Sequence, residues 1–110
     1  MGTVLILNKD QMGHGSRELG EKILGACLRK LLDFPNLEAV VLYNSGVHLA
    51  VRGSALAADI HQLDEKGVDI LACGSCVEYY GVQDRLVVDR ISNMDEIVSA
   101  LAKADKVITL

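Results

Sequence analysis

Asp69-Ile70-Leu71-Ala72-Cys73-Gly74-Ser75-Cys76-Val77-Glu78-Tyr79-Tyr80-Gly81 carries the fold in miniature. A short apolar run ends in a cysteine, turns through glycine and serine, and restarts at a second cysteine in a helical pattern. Strand, turn and helix in that order are the unit from which a parallel sheet is built. The turn puts Cys73 at the carboxyl end of a strand and Cys76 in the first helical turn. Unpaired N–H groups and the macrodipole at such a place favour thiolate over thiol, the nucleophilic form. The expectation is a reactive sulfur here, with Cys73 as the acceptor because it ends the strand.

Outward from that stretch the same alternation recurs. On the amino-terminal side, Ser54 reads as the N-cap of a helix with Leu56, Ile60 and Leu63 inward, ending at Lys66-Gly67. Before it lies a second buried strand, Ala39 to Tyr43, ending in Asn44-Ser45-Gly46, with Val47 to Val51 as a short extended piece. Thr3 to Asn8 is the first strand. The loop Lys9 to Gly15 follows, then a helix from Ser16 with Leu19, Ile23, Cys27 and Leu31 as its core stripe, backed by Leu24 and Leu28. Asp33-Phe34-Pro35-Asn36 stops it, since proline cannot continue a helix.

On the carboxyl side, Leu86-Val87-Val88 reads as a brief strand. Ser92-Asn93-Met94-Asp95 has capping-box-like spacing and opens a helix with Met94, Ile97, Val98 and Leu101 inward; Lys106 to Leu110 is a last strand. Apolar strands alternating with amphipathic helices predict one α/β domain over residues 1–110. Its mainly parallel sheet has four to five strands, covered on both faces and joined by right-handed crossovers.

Ligands of such sheets gather at the carboxyl ends of strands. Three polar, glycine-bearing segments follow strands directly: Gln11 to Gly15, Asn44 to Gly46 and Cys73 to Cys76. They converge on one edge and predict one site. Cys73 and Cys76 form a C-x-x-C pair suited to sulfur chemistry: one thiolate accepts a sulfane sulfur or attacks a disulfide, and the other protects or resolves it. The alternative is a pair of small buried hydrophobes.

Gly13, His14 and Gly15, with Asn44, Ser45, Gly46 and Gly74, are the expected cradle for a substrate or small anion. Plain turns are the competing explanation. The loop is no P-loop, because Gly-Lys-Ser/Thr does not follow, and it lacks dinucleotide-fold spacing. His14 is a proton donor near the thiol or a solvated loop residue. A zinc ion would need both cysteines with His14 and His48 from three separate loops, unlike compact structural sites, so no metal is expected. Cys27 belongs to packing and His61 to solvent; Tyr79 and Tyr80 wall the pocket or pack with their hydroxyls in water.

Half of the 110 residues are hydrophobic, with one Phe and no Trp, so the core is Leu, Ile, Val and Ala. That proportion predicts apolar surface covered by sister subunits. Fifteen acidic against eleven basic residues leave a formal charge of −4, with no basic patch for nucleic acid or an anionic membrane. The start, Met1-Gly2-Thr3, shows no cationic segment or cleavage signal, and no apolar run nears the roughly 20 residues that span a bilayer. Three cysteines without a pairing framework predict a cytoplasmic protein with reduced thiols.

With these residues in view, the chain resembles the DsrE/DsrF-like sulfur-relay family, and within it the carboxy-terminal domain of YedF-type selenium-metabolism proteins. The matching segments are Met12 to Gly20, Asn44 to Val47, Gly53-Ser54, Lys66 to Cys76, Tyr80-Gly81 and Ser92 to Met94. The resemblance implies a three-layer α/β/α sandwich and a homo-oligomer without a cofactor. It also implies a cysteine after the third strand that carries persulfide sulfur between donor and acceptor proteins, as a sulfurtransferase-like carrier. Cys73, with Gly81 closing the helix after it, matches that cysteine by spacing; Cys76 belongs to the YedF-like variant. The Cys-Pro motif of the TusA-like domain that usually precedes YedF-type domains has no counterpart here, where Pro35 is the only proline. Two other functions compete with the carrier: a non-catalytic oligomeric module that binds a small anion or partner, and a thiol redox sensor cycling between dithiol and disulfide.

Overall fold

The computed structural model describes residues 2–110. Four strands, β1 (Thr3–Leu7), β2 (Leu37–Leu42), β3 (Asp69–Ala72) and β4 (Lys106–Thr109), form one sheet in the order β3-β2-β1-β4. Every pairing is parallel, with Leu5 opposite Val40 and Ile108, and Val40 opposite Ile70. The helices are α1 (Arg17–Leu31), α2 (Ala57–Glu65), α3 (Gly74–Tyr80) and α4 (Met94–Lys103).

The pleat sends alternate residues to opposite faces, and each face has its own core. On one face Leu5, Leu7, Val40, Leu42, Ile70 and Ala72 pack against Leu24 and Leu28 of α1 and Ile60 and Leu63 of α2. On the other, Val4, Ile6, Ala39, Val41, Leu71 and Cys73 pack under Ile97 of α4. The result is the expected three-layer α/β/α sandwich, with four strands in the sheet. No helix among the described residues is long and apolar enough to cross a membrane.

Several local expectations are corrected. Leu86 to Val88 does not join the sheet; Leu86 makes a single antiparallel bridge to Val51, fixed by the Val87 N–H donating to the Ala50 carbonyl at 2.7 Å. Val47 to Val51 is not extended, because Asn44–Ala50 coils as a 3-10 helix that buries Val47, Leu49 and Ala50. Ser54 does not cap α2, which begins three residues later; its hydroxyl donates to the Leu49 carbonyl instead.

The core stripe of α1 is rotated from the expected one. Leu19 and Ile23 are exposed, and the buried face is Gly20, Leu24, Gly25 and Leu28. Glycine explains the rotation: a Cβ at Gly20 would stand 2.8 Å from the Gln11 Cβ, so the helix settles closest where side chains are missing. In α4 only Ile97 of the expected inner face is fully buried, while Met94 and Val98 are exposed. Its cap falls one residue later than the Ser92–Asp95 spacing predicts: the Asn93 side chain accepts the Glu96 N–H at 2.8 Å, while the Ser92 hydroxyl donates to the Glu96 carboxylate.

Candidate functional site: the thiol pair at the carboxyl edge of the sheet

Parallel strands leave the sheet at one edge, and there the chain ends of β1, β2 and β3 are tied together. The Tyr43 N–H donates to the Leu7 carbonyl, and the Cys73 N–H to the Leu42 carbonyl at 2.9 Å. Beyond β3 the chain segment ending at Ser92 adds one more parallel bridge, to Cys73.

The two cysteines fall on different sides of this edge. Cys73 lies on the α4 face, the same face as Leu71, and is only 2% exposed. Cys76 sits in the first turn of α3 and is half-buried. Its Sγ accepts the backbone N–H of Asn44 at 3.0 Å. The expectation that Cys73 is the reachable acceptor is corrected accordingly: the outward sulfur is Cys76, because the pleat directs Cys73 under α4.

At Cys76 the thiolate is not favoured. Burial pushes the Cys76 thiol up, the Asn44 N–H pulls it down, and the adjacent Cys73 thiol pushes it up again. A helix terminus stabilises a nearby charge by only roughly 0.3–1 kcal/mol, and α3 has only seven residues. Desolvation wins here.

Asn44 organises the outer wall. Its backbone is left-handed, φ 53°, which aims its N–H at the sulfur while its side chain turns elsewhere. The Asn44 Oδ1 accepts the Tyr80 hydroxyl at 3.0 Å, and the Tyr80 ring lies 4.3 Å from the ring of His48. Tyr79 meets Tyr80 edge-on and is itself exposed. Tyr80 and His48, weighed in the sequence only as a pocket wall and as a zinc ligand, are joined here as neighbours of Asn44 and of each other. Their signal was present, Tyr80 one helical turn beyond Cys76 and His48 one turn beyond Asn44, but the 3-10 coil that unites them was not legible.

Glycine has a packing role at two of the expected cradle positions. A Cβ at Gly46 would lie 2.0 Å from the Leu7 carbonyl oxygen, so Gly46 permits the crossing of β1 and the 3-10 turn. A Cβ at Gly74 would lie 2.8 Å from the Ser92 oxygen, which already accepts the Gly74 N–H at 3.0 Å. That N–H is spent, so Gly74 is not an anion donor, contrary to expectation. Ser45 is half-buried beside them.

Gly13, His14 and Gly15 form an exposed loop on the same edge. Its stem is held by Arg17, which donates to both carboxylate oxygens of Asp10 at 3.0 and 2.7 Å. That guanidinium holds the Asp10 carboxyl below its ordinary value. A cavity of about 220 Å³ lies between this stem and the 3-10 turn, lined by Asp10, Arg17, Glu21, His48 and Ser54. Among the described residues, no three His, Cys, Asp or Glu side chains gather as a metal-ligand set.

The DsrE/DsrF-like family model matches residues 3–110. The chain belongs to this family. The DsrE/DsrF-like family is associated with sulfur relay, the chemistry a thiol pair at this edge suits. Among solved structures the chain is similar to a protein of unknown function, MTH1491 of Methanobacterium thermoautotrophicum, with 25% identity, a TM-score of 0.72 and 98% and 97% of the two chains covered. It is similar in fold to the ychN protein of E. coli, at 16% identity, a TM-score of 0.70 and full coverage of both chains. A protein of unknown function, BT1422 of Bacteroides thetaiotaomicron, shares the fold at 16% identity and a TM-score of 0.69, over 98% and 94% of the two chains. No curated protein matches the chain.

Proposed function

We propose that the protein is a sulfur-relay carrier that holds sulfane sulfur as a persulfide on Cys76 and passes it to a partner protein. The observation that carries this is the Cys76 Sγ, half-buried at the carboxyl edge of the sheet and accepting the Asn44 N–H at 3.0 Å. Loading requires the Cys76 thiolate to attack the outer sulfur of a donor persulfide. A new S–S bond forms on Cys76, the donor's S–S bond breaks, and the donor leaves as a thiolate that takes up a proton. The Asn44 N–H stabilises the thiolate, and the Tyr80 hydroxyl holds the Asn44 side chain in place.

The cytoplasm, with its reduced thiols, is the compartment this chemistry fits. The Cys-Gly-Ser-Cys turn supports a YedF-type assignment within the family. The proposal includes a homo-oligomer, supported by the exposed apolar side chains Ile91, Met94 and Val98; a sedimentation mass of a single chain would overturn that part.

The test is the intact mass of the reduced protein sampled early after exposure to glutathione persulfide. The expected result is the gain of one sulfur, absent in Cys76→Ser. No gain in the unaltered protein, or an unchanged gain in Cys76→Ser, would overturn the carrier role.

A further inference from the structure

Carrying sulfur on Cys76 leaves one nucleophile at the site without a task. The Cys73 thiol is 2% exposed, closed off by Leu71 and Ile97, so neither a donor nor an acceptor protein reaches it. Cys76 packs against that same cluster. Residues three apart on a helix are neighbours, and Cys73, as the cap of α3, has extended rather than helical backbone, φ −63° and ψ 122°. Both side chains pack in one cluster, and the Cys73 thiol acts directly on that of Cys76. What burial denies to macromolecules it leaves open to the sulfur next door.

We infer that this site, taken as a persulfide carrier, has a second activity: when no acceptor takes the sulfur, Cys73 expels it from Cys76 as hydrogen sulfide and closes a Cys73–Cys76 disulfide. The Cys73 sulfur bonds to the Cys76 Sγ, and the bond from that Sγ to its outer sulfur breaks. The Cys73 proton leaves with the departing sulfur. Both cysteines are oxidised to a disulfide by two electrons, and the sulfane sulfur is reduced to sulfide. Two molecules of a small-molecule thiol then return the pair to its reduced form: the first opens the disulfide as a mixed disulfide, and the second releases it, the two leaving joined as their own disulfide.

The arrangement suits this step in two respects. The attacking thiol lies inside and the leaving sulfur outside, so sulfide departs from the exposed side of Cys76. The Asn44 N–H rests on the sulfur under attack. With a buried resolving thiol, the persulfide has a route of loss that needs no thiol from the solvent.

The experiment loads the reduced protein with glutathione persulfide, removes all small molecules, and follows intact mass and released sulfide over time. Cys73→Ser and Cys73→Ala are treated alongside, with circular dichroism to check folding, because the position is buried. In the unaltered protein the added sulfur should disappear, leaving a species two hydrogens lighter than the reduced chain and one sulfide per chain. Both Cys73 variants should keep the sulfur. Persistence of the sulfur in the unaltered protein, for as long as in the variants, would overturn the inference and leave the carrier role standing. Failure of every form to gain sulfur, the Cys73 variants included, would remove the carrier role and this second activity together.

Discussion

At the scale of single residues, reactivity is decided by which thiol the pleat turns outward. Iodoacetamide at neutral pH should modify Cys76 well before Cys73, whose alkylation waits for unfolding. Because burial and the Cys73 thiol together raise Cys76, its alkylation rate should climb with pH through a midpoint above that of a free cysteine. The linkage has a definite sign. A raised thiol leaves stability intact below the unfolded value and removes it as pH climbs toward the folded one. A midpoint below the free value would contradict the desolvation argument, and peptide mass mapping reads both results. The C-x-x-C pair was legible in the sequence. Its polarity was not, since Cys73 shares a face with Leu71 and only the placement of α4 decides that this face is closed.

Among the elements, the turns that bring the strand ends together depend on close backbone approach. Gly46→Ala would place a methyl group 2.0 Å from the Leu7 carbonyl oxygen, an overpacking expected to cost about 3 kcal/mol, measured by urea unfolding. A loss below about 1 kcal/mol would show that the 3-10 turn yields easily. Asn93→Ala removes the acceptor of the Glu96 N–H and should cost about 1 kcal/mol in the same assay. Strand positions were legible because buried parallel strands are continuous apolar runs. The 3-10 turn at Asn44–Ala50 was not, because its alternation of apolar residues imitates a short strand. Likewise the face of α1 was misread from its leucines, when Gly20 and Gly25 choose the side that sits closest.

For the molecule as a whole, the two cores carry unequal cover. Two helices, α1 and α2, close one face of the sheet, while α4 packs on the other and leaves Met94 and Val98 exposed. Leu28→Ala in the first core should cost about 2–5 kcal/mol, whereas Leu19→Ala on the exposed side of α1 should change stability by no more than about 0.5 kcal/mol. Equal losses would mean that the rotated stripe of α1 is wrong. The alternation of strands and helices makes the doubly covered parallel sheet legible from sequence, and the order of strands places all three candidate loops at one edge. What sequence could not supply is depth: two of the expected cradle glycines, Gly46 and Gly74, are packing spacers, while Tyr80 and His48 come together through a coil that periodicity misses.

The most direct measurement of the central claim locates the added sulfur. Glutathione persulfide treatment, trapping of the persulfide by alkylation and fragmentation of the peptide containing both thiols would assign the extra sulfur to one of them. The arrangement at the sheet edge predicts it on Cys76, with Cys73 and Cys27 unmodified. Sulfur found on Cys73 would contradict it.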